Sequence, residues 1–448
     1  MNENQDNIFY AYKIISKHPA FTFSEFFYKE DEFNENNFLN LVKKTLKNNK
    51  SNNYYIHIPF CRSLCNYCYC FKIQNQDDIF HFKYINYLDK ELAIYYKLNG
   101  NKKLTYNSLN IGGGTPNIFS DDNFILFFNI LNKYFDLNKK DKLINIDLNI
   151  SFLSNKKLLT IKKYCSRVSI GIQTFNKKLL LESNRFFDKE NFYNSYFRYF
   201  NINGIKINVD LMIGLKNQTL EDIDYTIKKI IFLKVDNVSL NYFHKKDGLK
   251  YDFDEKGIEL IIETKSKWDK IIIKYNLSQN KQLDIESRKN NIIGIGVGAV
   301  GNIFGKVGFY RYNFDNYFNK IDNGILGFDK YIIIDTYLET VSYFLEKIFC
   351  RVKKIEIINI YGNKNLDKIK TKLNKLFING FLKEDNEHIY STVSDREIFP
   401  ILVESLLGKY IKNGYFGNLT DNYSESENVY ENYNFFFDHS GTYIDQLE

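Results

Sequence analysis

Between Tyr54 and His244, short apolar runs rich in Ile, Val and Leu alternate with longer amphipathic stretches, and this alternation leaves few folds open to the chain. A strand, a helix and another strand, repeated, build a parallel sheet covered by its own crossovers. Strands are predicted at Tyr54–Ile58, Ser108–Ile111, Ile144–Ile150, Arg167–Ile172, Lys206–Leu211 and Asn237–Tyr242, with helices such as Phe82–Lys97 and Leu220–Leu233 between them. Six βα units predict an α/β fold, a partial (β/α)6 barrel of TIM-like kind. In such folds the loops at the carboxyl ends of the strands converge on one mouth, where the chemistry gathers.

The barrel is expected to occupy residues 51–245. Residues 1–50 form an N-terminal segment with a helix at Asn37–Asn48 and several phenylalanines at Phe21–Phe27, placed to cover the mouth. Residues 246–330 are read as a connecting region with a helix, Glu259–Tyr275, and a glycine-rich loop, Gly294–Gly301. Residues 331–410 are predicted as a mainly helical C-terminal domain, and Leu373–Tyr390, with a turn at Gly380, reads as a small winged-helix form. Residues 411–448 are an acidic, aromatic tail without period.

Bulk composition narrows the setting. A chain of 448 residues can bury a large core in two or three domains. The net charge of +7 is spread among interleaved acids, which argues against a nucleic-acid track. No secretory signal stands at Met1–Asn7 and no apolar run has bilayer length, so a cytoplasmic protein without membrane insertion is expected.

Cys61, Cys65, Cys68 and Cys70 follow the first predicted strand. Zinc motifs usually draw their ligands from two separated pairs, and the other cysteines, Cys165 and Cys350, are isolated. The compact C-x3-C-x2-C spacing fits instead three irons of a 4Fe-4S cube, one thiolate to each iron, with the fourth iron left for an external ligand. A thiolate cluster also needs a reducing compartment.

That spacing resembles the radical SAM signature, in which S-adenosylmethionine (SAM) chelates the open iron and receives one electron. With Tyr55, His57, Pro59 and Phe60 before it and Cys70 after it, the segment is similar to the oxygen-independent coproporphyrinogen III dehydrogenase family. His57 reads as structural, or as lying near the cluster. The later motifs extend the resemblance. Gly112, Gly113, Gly114, Thr115 and Pro116 close the second strand, where freed backbone N–H groups can bond the methionine end of SAM. Gln173 ends the fourth strand with an amide that both donates and accepts. Arg185 stands where the family has a cofactor-binding arginine able to grip a carboxylate. Asp210, an acid within an apolar strand, needs a partner when buried and is placed on the cofactor. The third strand departs from the family's ribose-binding glutamate. It offers Asp147, with Asn149 as a fallback. Lys216 replaces a family proline after the fifth strand, which is expected to loosen that loop.

By this resemblance the cluster ligands are Cys61, Cys65 and Cys68, and the cofactor contacts are Tyr55, Cys70, Gly113, Gly114, Thr115, Asp147, Gln173, Arg185 and Asp210. The resemblance implies one SAM, with Asn241–His244 and Gly294–Gly301 near its adenine and, in some members, near a second SAM that serves methylating relatives as methyl donor. It further implies an anionic tetrapyrrole substrate, suited to a mouth lined with Lys and Arg, and a reductase, flavodoxin or ferredoxin as electron donor. The leading expectation is oxidative decarboxylation of coproporphyrinogen III in porphyrin and haem biosynthesis. A methyltransferase or tetrapyrrole-opening relative would differ, the methylating one by forming S-adenosylhomocysteine. A haem-trafficking relative would bind haem without cleaving SAM, and such relatives usually lack the fourth cysteine. No Ser/His/Asp arrangement or carboxylate pair suggests hydrolysis.

Overall fold

The computed structural model describes residues 28–29, 35–47, 52–68, 70–138, 142–185, 190–242, 291–299, 301–303, 307–310, 313–326, 330–334, 336–348, 351–393, 402, 405–406, 436–437 and 443–444. Two compact units divide the chain. The larger, residues 32–331, is built on a parallel sheet. Its strands are β1 (Asn52–Ile58), β2 (Ser108–Gly113), β3 (Leu143–Leu148), β4 (Arg167–Gln173), β5 (Lys206–Ile213), β6 (Asn237–Tyr242) and β7 (Asn291–Ile295). Each of the first five lies beside its successor, and β7 lies beside β1, every pairing parallel. Two further strands, β8 (Gly301–Ile303) and β9 (Val307–Tyr310), continue antiparallel from β7.

A helix Glu35–Lys47 (α1) precedes the sheet. The crossovers are α2 (Asp78–Leu98), α3 (Asp121–Tyr134), α4 (Asn155–Tyr164), α5 (Lys177–Glu182), α6 (Glu190–Ile202) and α7 (Leu220–Phe232). Their starts are chemically marked. Asp77, Ser120, Ser154, Asn176 and Thr219 each accept a hydrogen bond from the first turn of the helix that follows. Asp222 completes a reciprocal capping box with Thr219.

Side chains alternate across these strands, and the two faces differ in kind. Ile144, Ile146, Val168, Ile170, Ile207 and Val209 join the main apolar core, each such side chain contributing about 1.5–3 kcal/mol on burial. The other face is polar. Register sets Asn145 and Asp147 beside Arg167 and Ser169, then Ser169 and Gly171 beside Asn208 and Asp210, then Asp210 beside Ser239. A hydrogen-bonded chain crosses four strands on this face. Ser169 Oγ donates to Asn145 Oδ1 (3.0 Å) and accepts from Asn208 Nδ2 (3.4 Å), and Ser239 Oγ donates to Asn208 Oδ1 (3.2 Å). Buried polar groups are thereby partnered and the interior is kept polar.

The six expected strands and the sampled helices fall within a few residues of their predicted limits. The seventh parallel strand corrects the reading of residues 246–330 as connection and loop, because Asn291–Ile295 is fully buried beside β1. His244, Phe21–Phe27, Glu259–Tyr275 and all of the tail except 436–437 and 443–444 lie outside the described residues.

The smaller unit contains helices α9 (Thr336–Lys347), α10 (Lys354–Tyr361), α11 (Asn363–Lys372) and α12 (Asn374–Ile378), numbered after α8 (Phe314–Asp322) of the larger unit. Strands β10 (Val352–Lys353), β11 (Leu382–Glu384) and β12 (His388–Ser391) form an antiparallel sheet in the order β10, β12, β11. Val341, Phe344, Ile357, Ile369, Leu373 and Ile389 form its core, and Gly380 turns the chain at φ +75°.

Candidate functional site

The chain leaves β1 directly into the cysteine loop. Phe60–Cys61 pairs in parallel with Ile73–Gln74, which closes the loop at its base. Cys61 and Cys70 are buried, Cys65 and Cys68 half-buried, and all four are free thiols. The loop is fastened to the turn after α5. The Asn66 N–H donates to Ser183 O (3.1 Å), and Asn184 Nδ2 donates to Leu64 O (2.8 Å). Asn184 occupies the left-handed region at φ +55°, which Asn tolerates better than most residues. Beneath the loop, Cys65 and Cys68 pack on Tyr67, Leu179, Met212 and Leu215.

The thiols sit in unequal environments. Burial, with Cys68 beside it, pushes Cys61 up to about 12. Cys68 is held well below its ordinary value, first by a hydrogen bond from Cys70 and then by Lys72. Lys72 donates to the carbonyls of Cys68 and Cys70. Burial lowers it, but Cys68, Cys70 and Cys61 together raise it above its ordinary value. The sequence reading passed over Lys72; its signal was a lysine two residues past the fourth cysteine.

The glycines at the end of β2 are there for close approach. A Cβ on Gly113, which has φ +109°, would come within 2.8 Å of the His57 ring. One on Gly114 would stand 2.6 Å from Phe60 O and 2.9 Å from Cys61 Sγ. The Thr115 hydroxyl lies 3.7 Å from Cys61 Sγ as a weak donor to it. The expectation that freed N–H groups here bind a ligand is corrected for two of them. Gly114 N–H donates to Ile58 O (2.7 Å) and Thr115 N–H to Phe60 O (2.8 Å), because the loop must hold the end of β1.

Tyr55 and His57 form a strut below the loop. His57 Nε2 donates to Phe71 O (2.7 Å), so Nδ1 is the acceptor for the Tyr55 hydroxyl (2.9 Å). Burial lowers His57 to about 4, which keeps it neutral. The Tyr55 hydroxyl, expected on the cofactor, is thus directed at His57. Gly296 and Gly298 meet the same strut. Their added Cβ atoms would lie 2.9 Å from His57 O and 2.9 Å from His57 Nε2, so these glycines serve packing against β1.

Gln173, Arg185, Asp147 and Asp210 gather around the ends of β3 to β5. Gln173 adopts φ +67° at an irregularity in the β4–β5 pairing. Its Oε1 is buried without a hydrogen-bond partner. Arg185 donates to Gly171 O, to the Tyr67 hydroxyl (3.2 Å) and, more distantly, toward Cys65 Sγ (3.9 Å). It joins the cysteine loop to β4 and stays charged, since Tyr67 and Cys65 outweigh the effect of its burial. Asp147 and Asp210 lie on the polar face and both stand above the ordinary carboxylate range. Burial is the main cause, Asp210 adds to the effect on Asp147, and Arg167 opposes it in both. Asn145 Nδ2 donates to Asp147 (3.2 Å) and Asn208 Nδ2 to Asp210 (2.9 Å). Asn149 points elsewhere: its Oδ1 caps the following turn through Ser151 N–H (2.9 Å).

Lys216 does not loosen its loop. Gln218 Oε1 accepts from Gly214 N–H (2.8 Å) and Leu215 N–H (3.2 Å), and Gln218 Nε2 donates to Met212 O (3.0 Å). One side chain does the holding that a proline would do. Asn241 and Tyr242 end β6, and Phe243 lies outside the described residues.

These residues fit an iron-sulfur cluster with SAM. Three thiols in one short loop offer one donor per iron, and a buried amide oxygen lacks a partner where a ligand would come. Among the described residues no three His, Cys, Asp or Glu could hold a single metal ion.

A family model described as the radical SAM superfamily matches residues 55–230. The heme chaperone HemW of Bacillus subtilis is 28% identical over 275 residues, 56% of this chain and 71% of the chaperone. The oxygen-independent coproporphyrinogen III oxidase of Escherichia coli K12 is 29% identical over 216 residues, 48% of this chain and 46% of the oxidase. The chain therefore matches less than half the length of that oxidase. The solved structure of Escherichia coli coproporphyrinogen III oxidase superposes with a TM-score of 0.67, at 20% identity, over 85% of this chain and 94% of that one, a likeness of fold. Cysteine loop, glycine loop and parallel sheet together define a radical SAM protein. Within that superfamily the chain is similar to the coproporphyrinogen oxidase-like proteins, among them named oxidases and named heme chaperones.

Proposed function

We propose that the chain binds a 4Fe-4S cluster through Cys61, Cys65 and Cys68, binds SAM beside it, and oxidatively decarboxylates an anionic tetrapyrrole, coproporphyrinogen III being the best-supported substrate. When bound, cluster and SAM supply hydrogen-atom abstraction from an unactivated carbon. The chain's own residues prepare the place. Lys72 and Arg185 set positive charge beside the thiols, and Thr115 offers a donor to Cys61 Sγ. Gln173 Oε1 is available to accept from an amine or ribose hydroxyl. Asp147 and Asp210 are acceptors for ribose hydroxyls on the polar face of the sheet.

The observation that carries the enzyme reading is Cys70, buried and hydrogen-bonded to Cys68 as a fourth cysteine of the loop. A second reading, heme delivery, draws on the chaperone match, which spans 71% of that relative against 46% of the oxidase. Anaerobically reconstituted, reduced protein separates them. With SAM and coproporphyrinogen III, the enzyme yields protoporphyrinogen IX, carbon dioxide, 5′-deoxyadenosine and methionine, the electron released at each decarboxylation passing to an electron acceptor. Stoichiometric haem binding with no SAM consumed would select the chaperone, and S-adenosylhomocysteine would select a methyltransferase.

A further inference from the structure

Glu91, on α2, is fully buried in the larger unit and has no part in the site described above. A carboxyl group in such a setting needs donors brought to it. Two arrive from elements much later in the chain. The Gly296 N–H, just past β7, donates to Glu91 Oε2 (2.9 Å), and the Tyr317 hydroxyl of α8 donates to the same oxygen (2.8 Å). Tyr84, also fully buried, lies two helical turns before Glu91 on the same face of α2. Its hydroxyl accepts from the Val297 N–H (3.0 Å) and donates to His57 O (2.8 Å). Thus α2 grips two consecutive N–H groups of the turn after β7 and ties them to β1.

That turn is the seat on which the cysteine loop ends. Gly298 has φ +82°, and a Cβ there would stand 2.6 Å from the Phe71 ring and 2.9 Å from His57 Nε2. Ring and imidazole therefore rest on bare backbone. Phe71 is the residue after Cys70, and its carbonyl is the one that His57 holds. From α8, Phe314 packs against Phe71 and Phe60, the residues on either side of the loop, at ring-centroid distances of 6.2 and 6.3 Å. Gly296, Val297, Phe314 and Tyr317 all lie beyond residues 55–230, the span matched to the superfamily.

We propose that Glu91 and Tyr84 are positioning residues for the cysteine loop: by fixing the turn after β7 they seat Phe71 and so set where Cys68 and Cys70 stand. The consequence for iron rests on the cluster proposed above. Groups that orient metal ligands from outside the ligand set govern how well the metal is held.

The test uses the full-length chain, first metal-free and then anaerobically reconstituted. Glu91→Leu removes the acceptor, Glu91→Gln keeps an acceptor oxygen, and Tyr84→Phe removes only the hydroxyl shared by Val297 and His57. Ile230→Ala, in the core on α7, controls for a general loss of stability. In the metal-free protein, hydrogen exchange of the peptide covering Cys68–Asn75 should run roughly tenfold faster in Glu91→Leu and in Tyr84→Phe, with exchange in α4 unchanged. Glu91→Gln should stay near the parent. After reconstitution, the two fast-exchanging variants should hold less iron and show an altered electron paramagnetic resonance spectrum of the reduced cluster, and Ile230→Ala should show neither change. Parent-like exchange in Tyr84→Phe overturns the inference, even where Glu91→Leu does not fold. Equal acceleration of the same peptide in Ile230→Ala overturns it too, as does faster exchange with parent-like iron content and spectrum. A parent that takes up no cluster defeats the cluster reading instead, and the metal-free exchange then decides the seating role by itself.

Discussion

Arg185 reaches the Tyr67 hydroxyl at 3.2 Å, and through that bond the cysteine loop is tied to β4, whose Gly171 carbonyl the same guanidinium also holds. Loop and strand are far apart in sequence, yet one planar cation sets their spacing. Lys in its place supplies a point charge without the fork. Arg185→Lys should therefore lose one charged hydrogen bond, about 1.5–3 kcal/mol, or roughly tenfold to a hundredfold in SAM affinity. Equilibrium binding of SAM to the reconstituted variant measures it. Parent-like affinity would show that Arg185 does no more than hold the loop.

The cysteines divide by role. Cys61→Ala, Cys65→Ala and Cys68→Ala should each abolish the visible absorption of the reconstituted cluster, and Cys70→Ala should keep it. Full iron and sulfide content in Cys65→Ala would sink the ligand assignment.

Gly114 has no room for a side chain. Gly114→Ala drives a methyl group toward Phe60 O and Cys61 Sγ, at 2.6 and 2.9 Å. Iron content after reconstitution should fall in this variant while the secondary structure seen by circular dichroism holds. Parent-like iron loading would show that the close approach is dispensable.

His57 makes the apo-protein sensitive to acid. Its folded-state value of about 4 lies below the ordinary 6.5, so the unfolded chain binds the extra proton first. The contribution is complete above pH 6.5 and is lost as pH falls toward 4, about 3 kcal/mol in all. Denaturant titrations from pH 7 to pH 4 should show His57→Asn, though less stable throughout, lacking this part of the slope. Equal slopes would refute it.

Asp147 and Asp210 act with the opposite sign. Carboxyls raised above their ordinary range are most favourable to the fold when protonated, so their contribution is lost as pH rises through the folded values. Asp147→Asn should melt higher than the parent at pH 7 and level with it at pH 4, while binding SAM more weakly. A variant that melts lower at pH 7 would place a needed negative charge at Asp147.

The strands were legible because a two-residue period is local. Ile144, Ile146 and Leu148 alternate with Asn145 and Asp147, and that pattern states both the strand and its two faces. The thiol spacing was legible for the same reason. β7 was not, since Asn291–Ile295 pairs with a strand far upstream and Gly294 blurs its apolar run. Nor were Lys72, Tyr67 and the engaged N–H groups of Gly114 and Thr115. Their meaning depends on which distant backbone arrives beside them, and spacing along a chain does not encode that.

The fastening of Leu64 and Asn66 to the turn at Ser183 and Asn184 uses hydrogen bonds of the polypeptide alone. Those ties lie outside the thiols themselves and would stay intact whichever ligand the thiols hold. For the cluster proposed above, reloading the thiols after iron loss should then need no refolding of the chain around them.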